Sequence, residues 1–544
     1  LENTILSGKT GRNRVKEGID KTANAIKATL GARGRNAMLI SQNGPAHITK
    51  DGVTVARSIF LEDPFEKAGS NLVKEVAHQT VLACGDSTTT ASILFQEIVS
   101  SACKMLDEGN INVNELNRGI LRGIGFVSEH IRKKAQPISG NLDLLRKIAI
   151  IASNNDEELG GVIAAAVNSV GENGLVSVVE SQDGKTTYRI EEGMQYDRGY
   201  LAKEFITHPK RNLAVLENPY ILISERPLMQ MKQLAPILEK VAEANEQSPR
   251  PLLVIAPEVD MEALALLVAN HKQKVLQICA VQCPGQGMAM EDYTTDLSVY
   301  TGATVISEER NIKLESATLE YLGSAVKAEI GPKGTLIIGG GGNPEELETR
   351  VESLKSLLEA TSNPHEKESL SERISSISCS VAILSIGAGS VTEGREKADR
   401  VDDAIKACQA ANEEGYVAGS GATYNGACFH IPLKQDQVRA IHGGKTKNSG
   451  INDYQRGLYC VHQAIQAISA QIVINAGKPA YGGPWPAEVY DLNYGHGYDA
   501  KADEMCNLIE RGIIDPAKAL RVALQNAGSV ATTFLTTEVF SFTR

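Results

Sequence analysis

The sequence predicts a multidomain chain that mixes α+β and α/β architecture. Three observations carry that prediction. The chain has 544 residues, too many for one hydrophobic core. Both of its ends place apolar residues at helical spacing. Residues 193–381 instead alternate short apolar strands with helical stretches, the pattern of a layered α/β domain. Hydrophobic residues make up 42% of the chain and aromatics only 5%, so large aliphatic cores are available. A formal net charge of −11 and a pI near 5.6 argue against nucleic acid as the main partner.

Taken in order, Val15, Ile19, Thr22, Ala23 and Ile26 form one face of a helix over residues 11–30 that runs into Gly31. Residues 37–48 read as a hairpin turning at Asn43-Gly44-Pro45. Helices follow over 65–83, 91–107 and 114–134, the last closed by Arg132-Lys133-Lys134, ordinary partners of a helix C-terminus. Residues 143–170 are helical with a polar break at Ser153-Asn154-Asn155-Asp156, and a strand pattern begins at Gly174. Within the α/β stretch, strands are expected at 219–224, 251–256, 275–282, 303–306 and 335–338, and helices at 229–245 and 260–272. Gly339 to Gly342 reads as a turn, because no phosphate-loop lysine follows and Glu345 and Glu346 would repel phosphate. A helical hairpin broken at Asn363-Pro364 spans 344–377, followed by a strand at 381–386 and a charged helix at 393–414. A helix at 454–476, a Gly/Pro/Tyr-rich segment at 477–498, a helix at 500–511, a turn at Asp515-Pro516 and a helix at 516–537 complete the pattern.

Nine scattered cysteines, an odd number without framework spacing, read as reduced thiols. Cys279 and Cys283 lack a second ligand pair and read as small buried hydrophobes. No run approaches the roughly 20 apolar residues of a membrane span. A cytoplasmic protein with no membrane partner is the expectation.

Cys84-Gly85-Asp86-Ser87-Thr88-Thr89-Thr90 stands directly before an apolar helix. It has two readings. One is a helix cap made by an acidic residue ahead of a Thr-rich first turn. The other is a phosphate cradle, with open N–H groups and hydroxyls as donors and Asp86 holding Mg²⁺ against phosphate oxygens.

Two upstream stretches, Thr29-Leu30-Gly31-Ala32-Arg33-Gly34-Arg35-Asn36 and Lys50-Asp51-Gly52-Val53-Thr54-Val55-Ala56, stand in register with the cradle. Glu413-Glu414-Gly415-Tyr416-Val417-Ala418-Gly419-Ser420-Gly421 and Gly512-Ile513-Ile514-Asp515-Pro516 continue the pattern. Through these motifs the chain resembles the group I chaperonins of bacteria, organelles and phages, as a divergent member. The resemblance implies a helical equatorial domain built from both chain ends (1–134 and 414–544). It also implies a small intermediate hinge domain (135–192 and 382–413) and an inserted α/β apical domain (193–381). It implies an ATPase subunit, with ATP and Mg²⁺ as cofactors, that assembles into a homo-oligomeric ring. Such a ring binds non-native proteins on apical apolar surfaces and encloses them through ATP-driven domain movement. A co-chaperonin joins the partners it brings, and an organelle matrix or an infected bacterial cytoplasm joins the settings. The rival readings are a small-molecule kinase and an inactive ring scaffold. The chain has no acceptor-site motif, against the first, and it keeps Asp51, Asp86 and Asp403 together, against the second.

The resemblance also assigns residues. Asp403 falls on the family's catalytic aspartate, and Asp51, with Lys50 beside it, is expected at the γ-phosphate end. Asp86 is the expected metal ligand within Gly85, Asp86, Ser87, Thr88, Thr89 and Thr90. Thr29, Leu30 and Gly31 should line the nucleotide. Ile151, Asn154, Gly419, Ser420, Asp499, Ala500, Ile513 and Asp515 match further nucleotide positions, the last toward the ribose hydroxyls. Client contacts fall on Tyr200, Phe205, Met231, Leu238, Leu264 and Val268. Ser87 and Ser420 replace family glycines, Ala152 replaces a serine, and Glu204 replaces a tyrosine among the client positions.

Overall fold

A computed structural model of the chain describes residues 3–543 except 41–46, 110, 139, 154–155, 172–174, 182–184, 210, 247–248, 286, 311, 362, 378, 388–390, 445–449 and 479–494. The expected turn at Asn43-Gly44-Pro45, Asn154, Gly174 and most of the 477–498 segment therefore lie outside the described residues. The chain divides into two compact units. One comprises Leu1–Glu172, Val178–Thr187 and Ser385–Arg544; the other comprises Asn173–Ser177 and Tyr188–Leu384.

The first unit opens with strand β1 (Asn3–Ser7) and helix α1 (Gly8–Lys27), which buries the predicted face. β2 (Ala37–Leu39) and β3 (His47–Thr49) pair antiparallel as expected. α2 (Gly52–Ser58) was not evident in the pattern; the Asp51 carboxylate starts it by accepting from the Val53 and Thr54 N–H groups. α3 (Pro64–Cys84) is capped by Asp63 and has Pro64 in its first turn, where a missing N–H costs nothing. α4 (Thr88–Asp107), α5 (Val113–Lys134), α6 (Leu142–Ala152) and α7 (Glu157–Val170) follow.

β4 (Leu175–Glu180) and β5 (Thr187–Tyr196) carry the chain into the second unit. There β6 (Ala214–Glu217), β7 (Tyr220–Ile223), α8 (Met231–Asn245), β8 (Leu252–Ala256), α9 (Met261–Lys272) and β9 (Ile278–Gln282) alternate. β7, β8 and β9 run parallel, with Leu222 opposite Val254 and Val254 opposite Ala280. α10 (Met288–Thr301), β10 (Gly323–Ile330), β11 (Thr335–Gly340) and the hairpin α11 (Pro344–Ala360) and α12 (Pro364–Ile377) complete it. β10 pairs antiparallel with β11, β6 and β7, and β11 with β5. The strand expected at 303–306 is only a single bridge, Ser224 to Ile306. The sequence reading did not pick out β10 or α10, because both carry buried charge. Lys327 is 2% exposed and pairs with Glu329 at 2.7 Å; Asp296 is fully buried against Arg350 and Arg373.

β12 (Cys379–Ile386) leads back to α13 (Val391–Glu414), β13 (Tyr416–Ala418), α14 (Ala422–Ala427), α15 (Gln435–His442) and α16 (Asp453–Asn475). The helix expected at 500–511 is instead the hairpin β14 (His496–Asp499) and β15 (Glu504–Asn507) with the single turn α17 (Leu508–Arg511). Asp499 decides this: its carboxylate accepts from the Lys501 and Ala502 N–H groups, and such a local bond competes with a helix. β16 (Ile514–Pro516), α18 (Ala517–Leu535) and β17 (Val539–Thr543) close the chain. β17 pairs antiparallel with β1, so both chain ends build the same helical unit.

Long helices α4, α5, α16 and α18 form the core of that unit. An 18-residue stretch within α16, itself 23 residues long, has mean hydropathy 1.2, enough by length and composition to cross a membrane, contrary to the reading from sequence. Its Leu458, Val461, Ile465 and Ile468 are buried in the core, which accounts for the apolarity. α5 and α16 touch backbone to backbone through two glycines. A Cβ on Gly119 would lie 2.1 Å from the Tyr454 carbonyl oxygen, and one on Gly457 2.0 Å from that of Leu116. Gly457→Ala should therefore lower stability by about 3 kcal/mol through forced separation of the helices. Gly125→Ala, on α5 with nothing within 4 Å, should be neutral or slightly stabilising. Thermal unfolding of both variants checks this; a Gly457→Ala midpoint equal to the parent's would show that the helices are not in such contact.

Candidate active site

The helical unit contains a cavity of about 550 Å³ walled by loops and helix ends from both halves of the chain. α3 ends at Gly85, in the left-handed region with φ 72°, and Gly85 N–H bonds the Val81 carbonyl at 2.9 Å. Ser87 is also left-handed (φ 68°) and begins α4 without a side-chain cap. Asp86 does not cap α4 either: its carboxylate accepts only from the adjacent Ser87 N–H. The first-turn N–H groups of α4 thus meet the cavity unsatisfied by any described side chain, which favours the cradle over the cap.

Other elements fix the remaining walls. Asn475, ending α16, donates to the carbonyls of Lys27 and Leu30, both at 2.9 Å, and so holds the turn after α1. Gly34 can fold back there because it lacks a Cβ, which would lie 2.1 Å from the Thr29 carbonyl. Asp51 caps α2 through both oxygens, with Val53 N–H at 3.1 Å, Thr54 N–H at 2.8 Å and the Thr54 hydroxyl as donors. Asp403 lies on α13, which packs on the α3–α4 turn: a Cβ on Gly85 would sit 2.4 Å from Lys406 Cβ and 2.7 Å from the Asp403 carbonyl. Asp515 lies on β16, opposite Val417 of β13.

These aspartates influence one another. Burial pushes the Asp403 carboxyl well above the usual carboxylate range, and the charges of Asp51, Asp86 and Asp402 push it further against the pull of Lys406. Burial and then Asp51 raise Asp86, opposed by its bond from Ser87 N–H. Burial and Asp86 raise Asp515 to about 7. Such a set of crowded carboxylates beside an open helix N-terminus suits a polyanion arriving with a cation. No three His, Cys, Asp or Glu side chains among the described residues stand at metal-ligand spacing. Mg²⁺ does not require such a cluster, since it keeps several waters and takes one or two carboxylates plus phosphate oxygens.

The structure brings together most residues singled out from sequence. Thr29, Leu30, Gly31, Lys50, Asp51, Gly85 to Thr90, Ile151, Asp403, Ser420, Asp499, Ala500, Ile513 and Asp515 line this cavity. Gly419 lies behind it, where a Cβ would be 3.2 Å from an Asp515 carboxylate oxygen. Sequence reasoning did not pick out Lys147, Arg400, Tyr498, Lys501 or Arg511, which also line it. Helical spacing could have found two of them: Lys147 stands four residues before Ile151 on α6, and Arg400 three before Asp403 on α13. Lys501 and Arg511 were hidden by the helix expected over 500–511.

In the α/β unit the residues matched to client contacts separate. Met231 is 43% exposed, Tyr200, Leu264 and Val268 are half-buried, and Phe205 and Leu238 are buried in the core. Phe205 and Leu238 are therefore corrected to core positions. Leu238 is on the inner face of α8 with Leu234, Ile237 and Val241. Phe205 packs edge-on against the His271 ring. Met229 (45% exposed) and Met261 (85%) are exposed in their place. They stand near Met231, whose N–H points to the Glu262 carboxylate at 3.4 Å.

A family model described as the TCP-1/cpn60 chaperonin family matches residues 22–539. Among solved structures, the chain is similar to the chaperonin gp146 from the bacteriophage EL 2 (Pseudomonas aeruginosa), crystallised in the presence of ATP-BeFx. That likeness covers 99% of each chain at 20% identity with a TM-score of 0.65, and it is a likeness of fold. With the family match spanning both chain ends and the α/β unit between them, this protein belongs to the TCP-1/cpn60 chaperonin family, the ATP-dependent ring chaperonins.

Proposed function

We propose that the cavity binds and hydrolyses Mg-ATP, and that the cycle drives a homo-oligomeric ring that captures and encloses non-native proteins. The observation that carries this reading is the meeting of Asp51, Asp86, Asp403 and the open N-terminus of α4 in one cavity. Residues 1–134 and 414–544 serve as the equatorial domain, 135–192 and 382–413 as the intermediate hinge, and 193–381 as the apical domain. The family match disfavours a small-molecule kinase. The cytoplasm, that of an infected bacterium included, suits the phage origin of the structural relative.

Phosphoryl transfer from ATP calls for positioning and charge neutralisation more than covalent help. The α4 N–H groups and the hydroxyls of Thr88, Thr89 and Thr90 receive phosphate oxygens. Asp86 would hold Mg²⁺, and the ion would supply charge neutralisation there. Asp51 is fixed by its capping bonds at the mouth of α2, beside Lys50. Asp403 orients the attacking water, and its raised basicity suits it to take the water's proton. Because Asp403 rides on α13, a shift of that helix off the Gly85 turn would remove it from the reaction. This links turnover to movement of the hinge segment.

Asp403→Ala should leave ATP binding within a few-fold and reduce turnover by about 100-fold or more. Asp86→Ala should weaken Mg-ATP binding itself. Steady-state ATPase and equilibrium binding of both variants test the reading, and near-parental turnover in both would sink it.

Asp515 gives a pH signature. Its folded pKa of about 7 exceeds the unfolded value, so the folded state holds the extra proton between the two. Nucleotide-free stability from this group is complete below about pH 4 and is lost as pH rises through about 7. Asp515→Asn should raise the melting midpoint at pH 8, with a gain that shrinks to nothing near pH 4.5. A gain independent of pH would contradict the assignment.

For clients, the Met231→Ser, Met261→Ser double variant should reduce capture of an unfolded test protein without lowering the melting midpoint, since both side chains are exposed. Unchanged capture would move the client surface elsewhere.

A further inference from the structure

The cavity wall contains positive charge that the scheme above does not use. Five basic side chains line it: Lys50, Lys147, Arg400, Lys501 and Arg511. Arg511 is committed to Asp499 at 3.4 Å and to Glu504. Lys147 differs. It is half-buried on α6 and has no hydrogen-bond or ion-pair partner among the described residues, although Asp499 and Asp515 line the same cavity. Its stem is nevertheless fixed. Gly512 takes φ 76°, and a Cβ there would lie 2.6 Å from Lys147 Cδ and 2.9 Å from Cε. The missing Gly512 side chain is the space through which the lysine passes.

A lysine stem packed against backbone has lost part of its rotamer freedom while its head stays free to meet a charge. An anionic partner offsets that loss, and the occupant proposed for this cavity is one. The other proposed contacts to the polyanion come from the α4 N-terminus and Lys50, whereas Lys147 comes from a different element, α6. We propose that Lys147 binds an anionic oxygen of the nucleotide directly and so ties α6 to the bound state. This rests on the Mg-ATP reading of the cavity. The contact is electrostatic and alike for di- and triphosphate, so it sets affinity rather than the rate of the chemical step.

The test is equilibrium binding of ATP, ADP and adenosine, with Mg²⁺, to the full chain and to Lys147→Met and Lys147→Arg. Methionine keeps the stem over Gly512 and removes the charge. Lys147→Met should weaken ATP and ADP alike by about 10-fold or more, the share of a charge-assisted hydrogen bond. It should leave adenosine binding and the nucleotide-free melting midpoint unchanged, and it should reduce the salt dependence of ADP binding; Lys147→Arg should restore most of the loss. ATP and ADP affinities within twofold of the parent in Lys147→Met overturn the proposal while leaving the Mg-ATP reading intact. Equal losses for adenosine and in the melting midpoint show a packing role and overturn it as well. If the parent itself binds no nucleotide, the Mg-ATP reading fails and takes this inference with it.

Discussion

The site depends on one contact, the backbone of α13 resting on the turn between α3 and α4. Gly85 makes it possible, because any Cβ there would overlap Lys406 and the Asp403 carbonyl. The contact brings Asp403 to the cavity of Asp86 and Asp51, groups that repel it. Burial first, and neighbouring aspartates after it, raise the carboxyls of Asp86, Asp403 and Asp515. In the proposed Mg-ATP reading, a cation entering with phosphate would relieve the repulsion among these aspartates where α13 holds Asp403 at the cavity. Differential stabilisation of one arrangement over another is the physical requirement for a ligand-driven movement.

Backbone strain accompanies the electrostatics. Ser87 (φ 68°) and Ser420 (φ 54°) are both left-handed, in the two loops that open α4 and α14 onto the cavity. A side chain in that region costs about 1 kcal/mol or more relative to glycine. Ser420 recovers part of this by donating its hydroxyl to the Tyr498 carbonyl at 2.7 Å, which also anchors the β14–β15 hairpin. Ser87 has its strain offset by the Asp86 carboxylate on its N–H, the same bond that keeps Asp86 from capping α4. Strain and open donors coincide at α4 because the left-handed Ser87 at its N-cap position supplies no side-chain cap to the first-turn N–H groups.

Much of this was legible in the sequence, unevenly. Long helices with one apolar face, such as α1 and α5, appeared where periodicity placed them, because a single core-facing stripe leaves an unambiguous pattern. The motif residues around Gly31, Asp51 and Asp86 could be read because glycine, hydroxyl and acidic residues cluster locally at each. The hairpin at 496–507 could not, since Asp499 and Asn507 form side-chain-to-backbone bonds that override a helical composition. Lys147 could not be assigned either: only its position over Gly512, 365 residues away, distinguishes it from a solvated helix lysine. Phe205 and Leu238 matched a functional pattern, yet apolar side chains of that size serve a core equally well, and burial decides between the two.

Buried charge is handled in two ways. In the α/β unit, Lys327 pairs with Glu329 and with the Ser177 hydroxyl, and Asp296 is shared by Arg350 and Arg373. Burial alone would raise the Glu329 carboxyl, but Lys327 and Arg211 hold it below its ordinary value. Removing one partner of such a pair is costly, whereas the pair itself adds little net stability, so these contacts serve to fix β10 and the α11–α12 hairpin in one arrangement. In the helical unit, Asp86 and Asp403 are raised instead, because burial and neighbouring carboxylates outweigh the Ser87 N–H bond to Asp86 and the pull of Lys406 on Asp403. Satisfied charges hold a scaffold in place; unsatisfied ones reserve a place for a ligand. The raised carboxylates stand in the helical unit, which is where the proposed chemistry is placed, and the α/β unit exposes Met229, Met231 and Met261 around the starts of α8 and α9.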